Sequence, residues 1–144
     1  MRPPVFLSRR PGELSDASLA GWYRRLLATV ASHRVRAGAW QLLESGGWPD
    51  NDSCRNLLAW SWSAADASGD IADGAAGGHL VVVNFSAEPA QGRVGLGWTD
   101  LRGRGWTLTD LLDDRVFERS GDELAGQGLF VALPPWGCHL LAMR

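Results

Sequence analysis

The sequence predicts a mainly β protein, an antiparallel β-sandwich of about eight short strands preceded by one amphipathic α-helix. Apolar residues follow a clear helical period only near the N-terminus. After Gly38 the chain breaks into short apolar or alternating runs, separated by clusters of Gly, Pro, Asp and Asn that are typical of turns. The sequence therefore divides into residues 1–37, a lead-in and a helix, and residues 38–144, an all-β domain.

The helix is predicted from Ser15 or Asp16 to about His33, after an extended, proline-containing lead-in over residues 1–14. Ser15 and Asp16 are both favourable N-cap residues. Apolar side chains at the spacing of one helix face define the helix stripe: Leu19, Trp22, Tyr23, Leu26, Leu27 and Val30. This stripe predicts a packing partner, which is either the β domain that follows or a larger body beyond this chain.

The first half of the β domain contains two predicted strands. In the second of them Leu58, Trp60 and Trp62 share one face, which we predict to be the core face because tryptophan buries a large area. The predicted elements, in order, are a strand at 39–44, a turn and loop at 45–53, a strand at 56–63 and a mobile loop at 64–79.

The second half is organised around residues 80–86, LVVVNFS, a β-branched run that predicts a central strand buried on both faces. Trp136 follows two prolines in the last predicted turn and is expected to fold back as a plug. The other predicted elements are a partner of the central strand at 91–97, a hairpin of 106–112 with 115–120, and a final pair of 128–133 with 137–143.

No residue pattern in the sequence indicates catalysis. The close carboxylate pairs lie in predicted turns, where aspartate bonds its own backbone. His33, His79 and His139 have no second ligand at metal spacing. A nucleophile elbow and a phosphate-binding glycine loop are both missing. We therefore expect no catalytic residue, no metal and no cofactor in this chain.

Charge and apolar content limit the partners and the location. The net charge of −2 gives no reason to expect nucleic acid or an acidic membrane surface. No apolar stretch is long enough for a signal peptide or a membrane span, so we expect a cytoplasmic chain. Cys54 and Cys138 match no metal spacing, and the sequence leaves open a disulfide between them or two buried thiols.

Eight tryptophans in 144 residues suggest carbohydrate binding as one candidate function. Exposed aromatic rings stack on sugar rings much as they stack on bases, whereas buried ones fill the cores of β-sandwiches. Trp48 and Trp98 lie in predicted loops, beside turn residues such as Pro49 and Asp100. They are the candidates for carbohydrate binding.

Several segments follow one another in a characteristic order: Tyr23–Leu27 (YRRLL), Gly38–Leu43 (GAWQLL), Asn56–Trp60 (NLLAW), Leu80–Ser86 (LVVVNFS) and Leu133–Leu141 (LPPWGCHLL). This order resembles the C-terminal region of α-amylase-family glycoside hydrolases, from about Pro4 to the last strand. In that family a catalytic (β/α)8 barrel ends in a helix, and an all-β domain of Greek-key strands follows. The resemblance therefore implies a Greek-key β-sandwich.

The resemblance also implies that the catalytic residues belong to a barrel that this chain lacks. A barrel of that kind needs ~250 residues, so residues 1–37 resemble only its last helix. The nucleophilic aspartate and acid/base glutamate of the family lie on upstream barrel strands, and no residue here matches their motifs. The implied function is a non-catalytic β-domain that stabilises or covers a catalytic barrel, and the alternative is a carbohydrate-binding module for α-glucans.

Overall fold

A computed structural model describes residues 16–36, 38–63 and 77–144. The predicted lead-in and most of the predicted loop at 64–79 lie outside the described residues. The described part is mainly β, with two antiparallel sheets and a helix near its N-terminal end, which confirms the predicted fold class.

The elements below are numbered within the described residues. The helices are α1 (Ala17–Ser32) and α2 (Gly121–Gln127), and a 3-10 turn (Ser53–Asn56) precedes the third strand. The strands are β1 (Ala39–Leu43), β2 (Ser45–Gly46), β3 (Leu57–Ser63), β4 (Gly78–Asn84), β5 (Ala90–Val94), β6 (Gly105–Asp110), β7 (Val116–Ser120), β8 (Leu129–Leu133) and β9 (Cys138–Met143).

The first helix begins where the sequence predicts. The Asp16 carboxylate accepts hydrogen bonds from the backbone N–H groups of Ser18 (2.9 Å) and Leu19 (3.0 Å). These bonds satisfy two of the amide groups that a helix start leaves without partners. At the other end Arg34 takes a left-handed conformation with φ of 48°, which stops the helix.

The strands form two sheets that pack face to face. The large sheet has the order β1-β3-β4-β9-β6-β7, and the small sheet has the order β2-β5-β8. β4 is third of six strands, as expected for a central strand. The large sheet contributes Leu57, Ala59, Leu80, Val82, Leu108 and Leu141 to the core, and the small sheet contributes Ala90, Val94, Leu129, Val131 and Leu133. Each fully buried Leu or Val stabilises the fold by about 1.5–3 kcal/mol relative to an exposed one.

Two of the predicted strand pairings are wrong, and one is confirmed. The 91–97 strand does not pair with the central strand, because β5 lies in the small sheet between β2 and β8. The 128–133 and 137–143 strands do not pair either, because β8 joins the small sheet while β9 pairs with β4 and β6. The β6–β7 hairpin forms as predicted. Strands that are consecutive in sequence thus lie in different sheets. The alternation of side chains predicts a strand but not the sheet that it joins.

The core face of β3 is the opposite of the predicted one. Leu57, Ala59 and Ser61 face the small sheet and are buried, whereas Leu58 is 41% exposed and Trp60 and Trp62 are half-buried. β4 shows the same asymmetry, so it is buried on one face and half-buried on the other. Both faces of β3 and β4 carry apolar side chains. The sizes of those side chains do not show which face packs against the small sheet.

Three local predictions also need correction. β2 lies inside the predicted loop at 45–53, where Ser45 pairs with Val94 of the small sheet. α2 was not predicted, although the acidic pair Asp122 and Glu123 in its first turn is a recognisable helix-start signal. Trp136 is not a plug, because it is 66% exposed at a left-handed φ of 56°.

Candidate partner-binding surface

The large sheet has an apolar outer face, the face turned away from the small sheet. Register places Trp40 opposite Trp62, and Leu42 opposite Trp60, on this face. Trp60 in turn lies opposite Val81 of β4. A sheet that is apolar on both sides is typical of a layer packed between two others.

The outer face is covered at one side and open at the other. Over β9, Leu140 and Ala142 are buried, at 2% and 7% exposure. Over β1, Trp40 and Leu42 are 59% and 57% exposed. The described chain therefore leaves the β1–β3 side of the outer face without cover.

The helix stripe is also open. Leu26 and Val30 are half-buried, whereas the other four members of the stripe are exposed: Leu19 (53%), Trp22 (42%), Tyr23 (51%) and Leu27 (65%). No residue of α1 is fully buried, all of them being described. A 16-residue helix is marginal in water without packing, so this stripe is an unsatisfied packing surface.

Two contacts place α1 relative to the large sheet. The Arg25 Nη1 atom donates a hydrogen bond to the carbonyl of Leu112, just after β6, at 3.3 Å. His33 at the helix C-terminus lies close enough to His79, on the outer face of β4, to affect its ionisation. The helix therefore lies on the outer-face side, near β4 and the end of β6. We use the term open apolar surface for the exposed apolar residues of α1, β1 and β3: Leu19, Trp22, Tyr23, Leu27, Trp40, Leu42 and Leu58.

His79 is the one ionisable residue on the outer faces of β3 and β4, and its surroundings favour the uncharged imidazole. Burial lowers the pKa of His79, and the nearby positive charges of His33 and Arg144 lower it further. The imidazole is thus neutral at neutral pH, because its usual pKa is already below 7. Beside it, Trp60 and Trp62 pack edge to face with ring centroids 6.4 Å apart.

The two carbohydrate-binding candidates have different environments. Trp48 is 37% exposed, and its ring lies 6.4 Å from that of Phe130 at a tilt of 32°. Trp98 is half-buried and packs against the core, 6.4 Å from the ring of the buried Trp106. The ring of Trp48 is therefore the more exposed of the two, and Trp98 lines a surface pocket together with Arg93 and Leu101.

The sequence leaves the pairing of the two cysteines open and predicts no metal site. Cys54 and Cys138, both within the described residues, are free thiols. Burial raises the pKa of Cys138, and the carboxylates of Asp110 and Asp113 raise it further, so the thiol stays protonated. Within the described residues no cluster of three or more His, Cys, Asp or Glu is placed to hold a metal ion.

The fold brings together one polar pair, His139 and Asp110, that the sequence analysis did not predict. His139 on β9 and Asp110 at the end of β6 are both buried, with His139 Nδ1 2.5 Å from an Asp110 carboxylate oxygen. Burial by itself would raise the pKa of Asp110, but bonds from His139, Leu112 and Leu140, with the histidine charge, outweigh it and hold the pKa below its usual value.

Neither helix of the described residues is long and apolar enough to cross a membrane. No protein-family model and no curated protein matches the chain. The open apolar surface is the structural feature that points to a function.

Proposed function

We propose that this chain is a non-catalytic β-domain of the kind found at the C-terminus of α-amylase-family glycoside hydrolases. Its role is to cover and stabilise a catalytic (β/α)8 barrel. The observation that supports the proposal is the open apolar surface, which includes the exposed stripe of α1 and the uncovered side of the large sheet. The order of segments from YRRLL to LPPWGCHLL supports the same family.

The exposed apolar side chains of the open apolar surface favour a protein partner over solvent. Single exposed apolar residues are ordinary, whereas contiguous apolar patches, such as the one that register places across β1 and β3, mark interaction sites. A fully buried tryptophan removes roughly 150–250 Å² from water. Covering Trp40, now 59% exposed, would remove on the order of 100 Å² and stabilise a complex by about 2.5 kcal/mol. The other residues of the surface add to this.

The proposal assigns the chemistry to the partner. In a retaining glycosidase two carboxylates act on either side of the scissile bond, and here both would belong to the barrel. The β-domain would contribute stability alone, so the isolated chain should not hydrolyse an α-glucan. The parent substrate would be starch, glycogen, trehalose or sucrose.

We expect the chain to stabilise a matching barrel when the two are mixed. The probes are α-amylase-family barrels truncated before their own β-domain, from enzymes acting on starch, glycogen, trehalose and sucrose. Binding through the open apolar surface should lengthen the half-life of thermal inactivation of at least one barrel. That half-life, measured with and without an excess of the chain, is the readout, and the responding barrel identifies the parent substrate class.

Substitutions in the chain provide the controls. The double variant Leu27→Asp with Trp40→Asp places two charges on the open apolar surface and should abolish the effect. Phe130→Asp places a charge at an exposed aromatic of the small sheet (39% exposed) and should leave it intact. An effect that survives the double variant, or no effect on any barrel, contradicts the proposal.

The alternative function, α-glucan binding, is favoured by one observation. Trp48 and Phe130 form a pair of exposed, tilted rings on the small sheet side, away from the open apolar surface. Such a pair could stack on neighbouring sugar units. Trp98 would then support the core rather than contact the sugar.

A tryptophan-fluorescence titration with maltoheptaose separates the two functions. If Trp48 stacks on sugar, the emission should shift saturably, and Trp48→Ala should lose about tenfold or more in affinity because stacking is worth about 1–3 kcal/mol. Trp136→Ala, which removes another exposed ring, should bind as the wild type does. If the emission does not change when maltoheptaose is added, the barrel-covering role remains as the only proposed function.

A further inference from the structure

A cavity lies between the edges of the two sheets, on a different side of the molecule from the open apolar surface. It has a volume of about 180 Å³ and is lined by side chains of β6, β7, β8 and β9. β7 and β8 are the edge strands of the large and small sheets. At ~30 Å³ per water molecule, the space equals that of about six waters, which suits a small organic molecule.

The walls of this cavity are largely apolar and aromatic. Leu108 and Leu141 come from the large sheet, and Val131 comes from the small sheet. Phe117 closes one side and packs edge to face on the His139 ring, with centroids 5.9 Å apart. These walls fit a flat apolar body better than a sugar or another polyol.

The buried histidine supplies a fixed polar group to the same space. His139 lines the cavity and is 8% exposed. Its Nδ1 is held by Asp110, whose other oxygen accepts from the N–H of Leu112 at 3.0 Å and the N–H of Leu140 at 3.5 Å. The carboxylate therefore fixes the imidazole, and Nε2 makes no hydrogen bond within the described residues. When the ring is protonated, Nε2 is a donor whose charge Asp110 balances.

Two arginines add positive charge to the cavity. The guanidinium carbons of Arg115 and Arg119 lie 5.8 and 5.7 Å from the centroid of the Phe117 ring, and both residues line the space. Arg115 is bonded to Asp113 at 2.6 Å. Arg119 donates to the Glu118 carbonyl and forms no ion pair within the described residues, so its charge is available to an anion.

We propose that this cavity binds a small aromatic carboxylate. The ring would lie between the apolar walls and Phe117. The carboxylate would accept from Arg119 and, when the imidazole is protonated, from Nε2 of His139. Charge-assisted bonds of this kind are stronger than neutral ones, and a low-dielectric site strengthens them further. The site is independent of the proposed barrel-covering role, since it uses other strands and other residues.

Calorimetric titration of the full chain with benzoate tests the site. Benzoate should bind saturably, and benzyl alcohol, which keeps the ring and removes the charge, should bind at least about tenfold more weakly. Arg119→Met should weaken benzoate binding by about tenfold for the same reason. Arg93→Met is the matched control, since Arg93 pairs with Glu123 on the small sheet side and lies outside the cavity.

A measurement on the wild-type chain tests the site without a substitution, so a folding defect of the Arg119→Met variant cannot explain its result. In NMR spectra the ring resonances of His139 should move with added benzoate, while those of His33 at the end of α1 should not. Saturable binding that depends on Arg119 and moves His139 supports the site. No saturable binding of benzoate, equal binding of benzyl alcohol, full affinity in Arg119→Met or a silent His139 would each overturn it.

Discussion

Replacing His139 by alanine is expected to lower the free energy of unfolding by about 3 kcal/mol, because it removes the side-chain hydrogen-bond partner of a buried carboxylate. Asp110 is 1% exposed and would keep a buried carboxylate without its main partner. The two backbone N–H bonds from Leu112 and Leu140 remain but do not replace the imidazole. Urea denaturation followed by tryptophan emission measures the change.

The loss should shrink in acid. The pKa of Asp110 is lower in the folded chain than its usual value, so ionised Asp110 stabilises the fold above the usual pKa of aspartate, about 3.9. That contribution disappears as the pH falls through the lowered pKa. The difference in free energy of unfolding between wild type and His139→Ala should therefore be largest at pH 7 and become smaller as the pH falls below about 3.9. Asp110→Asn is the control. Its amide does not titrate, so the free energy of unfolding of this variant should vary less between pH 7 and pH 3 than that of the wild type.

A gap that stays constant from pH 7 to pH 3 would contradict this account of Asp110. So would a His139→Ala variant within 1 kcal/mol of the wild type, because a pair that the core can lose so easily would not be buried.

Replacing Asn84 by alanine is the second change for which we expect a large effect, a loss of about 3 kcal/mol or more. Asn84 is fully buried at the end of β4. Its amide nitrogen donates to the carbonyls of Glu88 (2.8 Å) and Pro134 (2.9 Å), and its oxygen accepts from the N–H (3.1 Å) and hydroxyl (2.8 Å) of Ser86.

These bonds explain the size of the effect. They tie β4 of the large sheet to the turns that lead to β5 and follow β8 in the small sheet. Alanine would remove all four bonds, each worth about 0.5–1.5 kcal/mol, and would leave the N–H of Ser86 without its partner. The carbonyls of Glu88 and Pro134 keep one donor each, the Ser86 hydroxyl (2.8 Å) and the Gly137 N–H (3.0 Å). The urea midpoint and slope measure the loss, since a change of midpoint at constant slope reports stability.

Two further variants separate the roles of the amide. Asn84→Asp keeps an acceptor for Ser86 but turns a carboxylate oxygen toward the carbonyls of Glu88 and Pro134, so it should be destabilised at neutral pH and recover partly in acid. Ser86→Ala removes one hydroxyl and should cost about 1 kcal/mol. An Asn84→Ala chain as stable as Ser86→Ala would show that the amide does not join the sheets.

The candidate surface could be predicted in part. The helix stripe followed from its spacing, and the structure leaves most of it exposed. Trp60 and Trp62 were predicted in the core, yet they lie on the outer face, because both faces of β3 carry apolar side chains. Neither the Asp110–His139 pair nor the cavity was expected, since their residues lie on strands that only the folded sheets bring together.

Local sequence patterns are enough to predict the capped helix, most of the short strands, the central position of β4 and the β6–β7 hairpin. These features depend on spacing, propensity and turn residues within a few positions of one another. Three other features follow from tertiary packing: the sheet that each strand joins, the face of β3 that is covered and the polar groups that meet. Such outcomes depend on packing between residues far apart in sequence, where apolar strands of similar composition have no local signal to distinguish them.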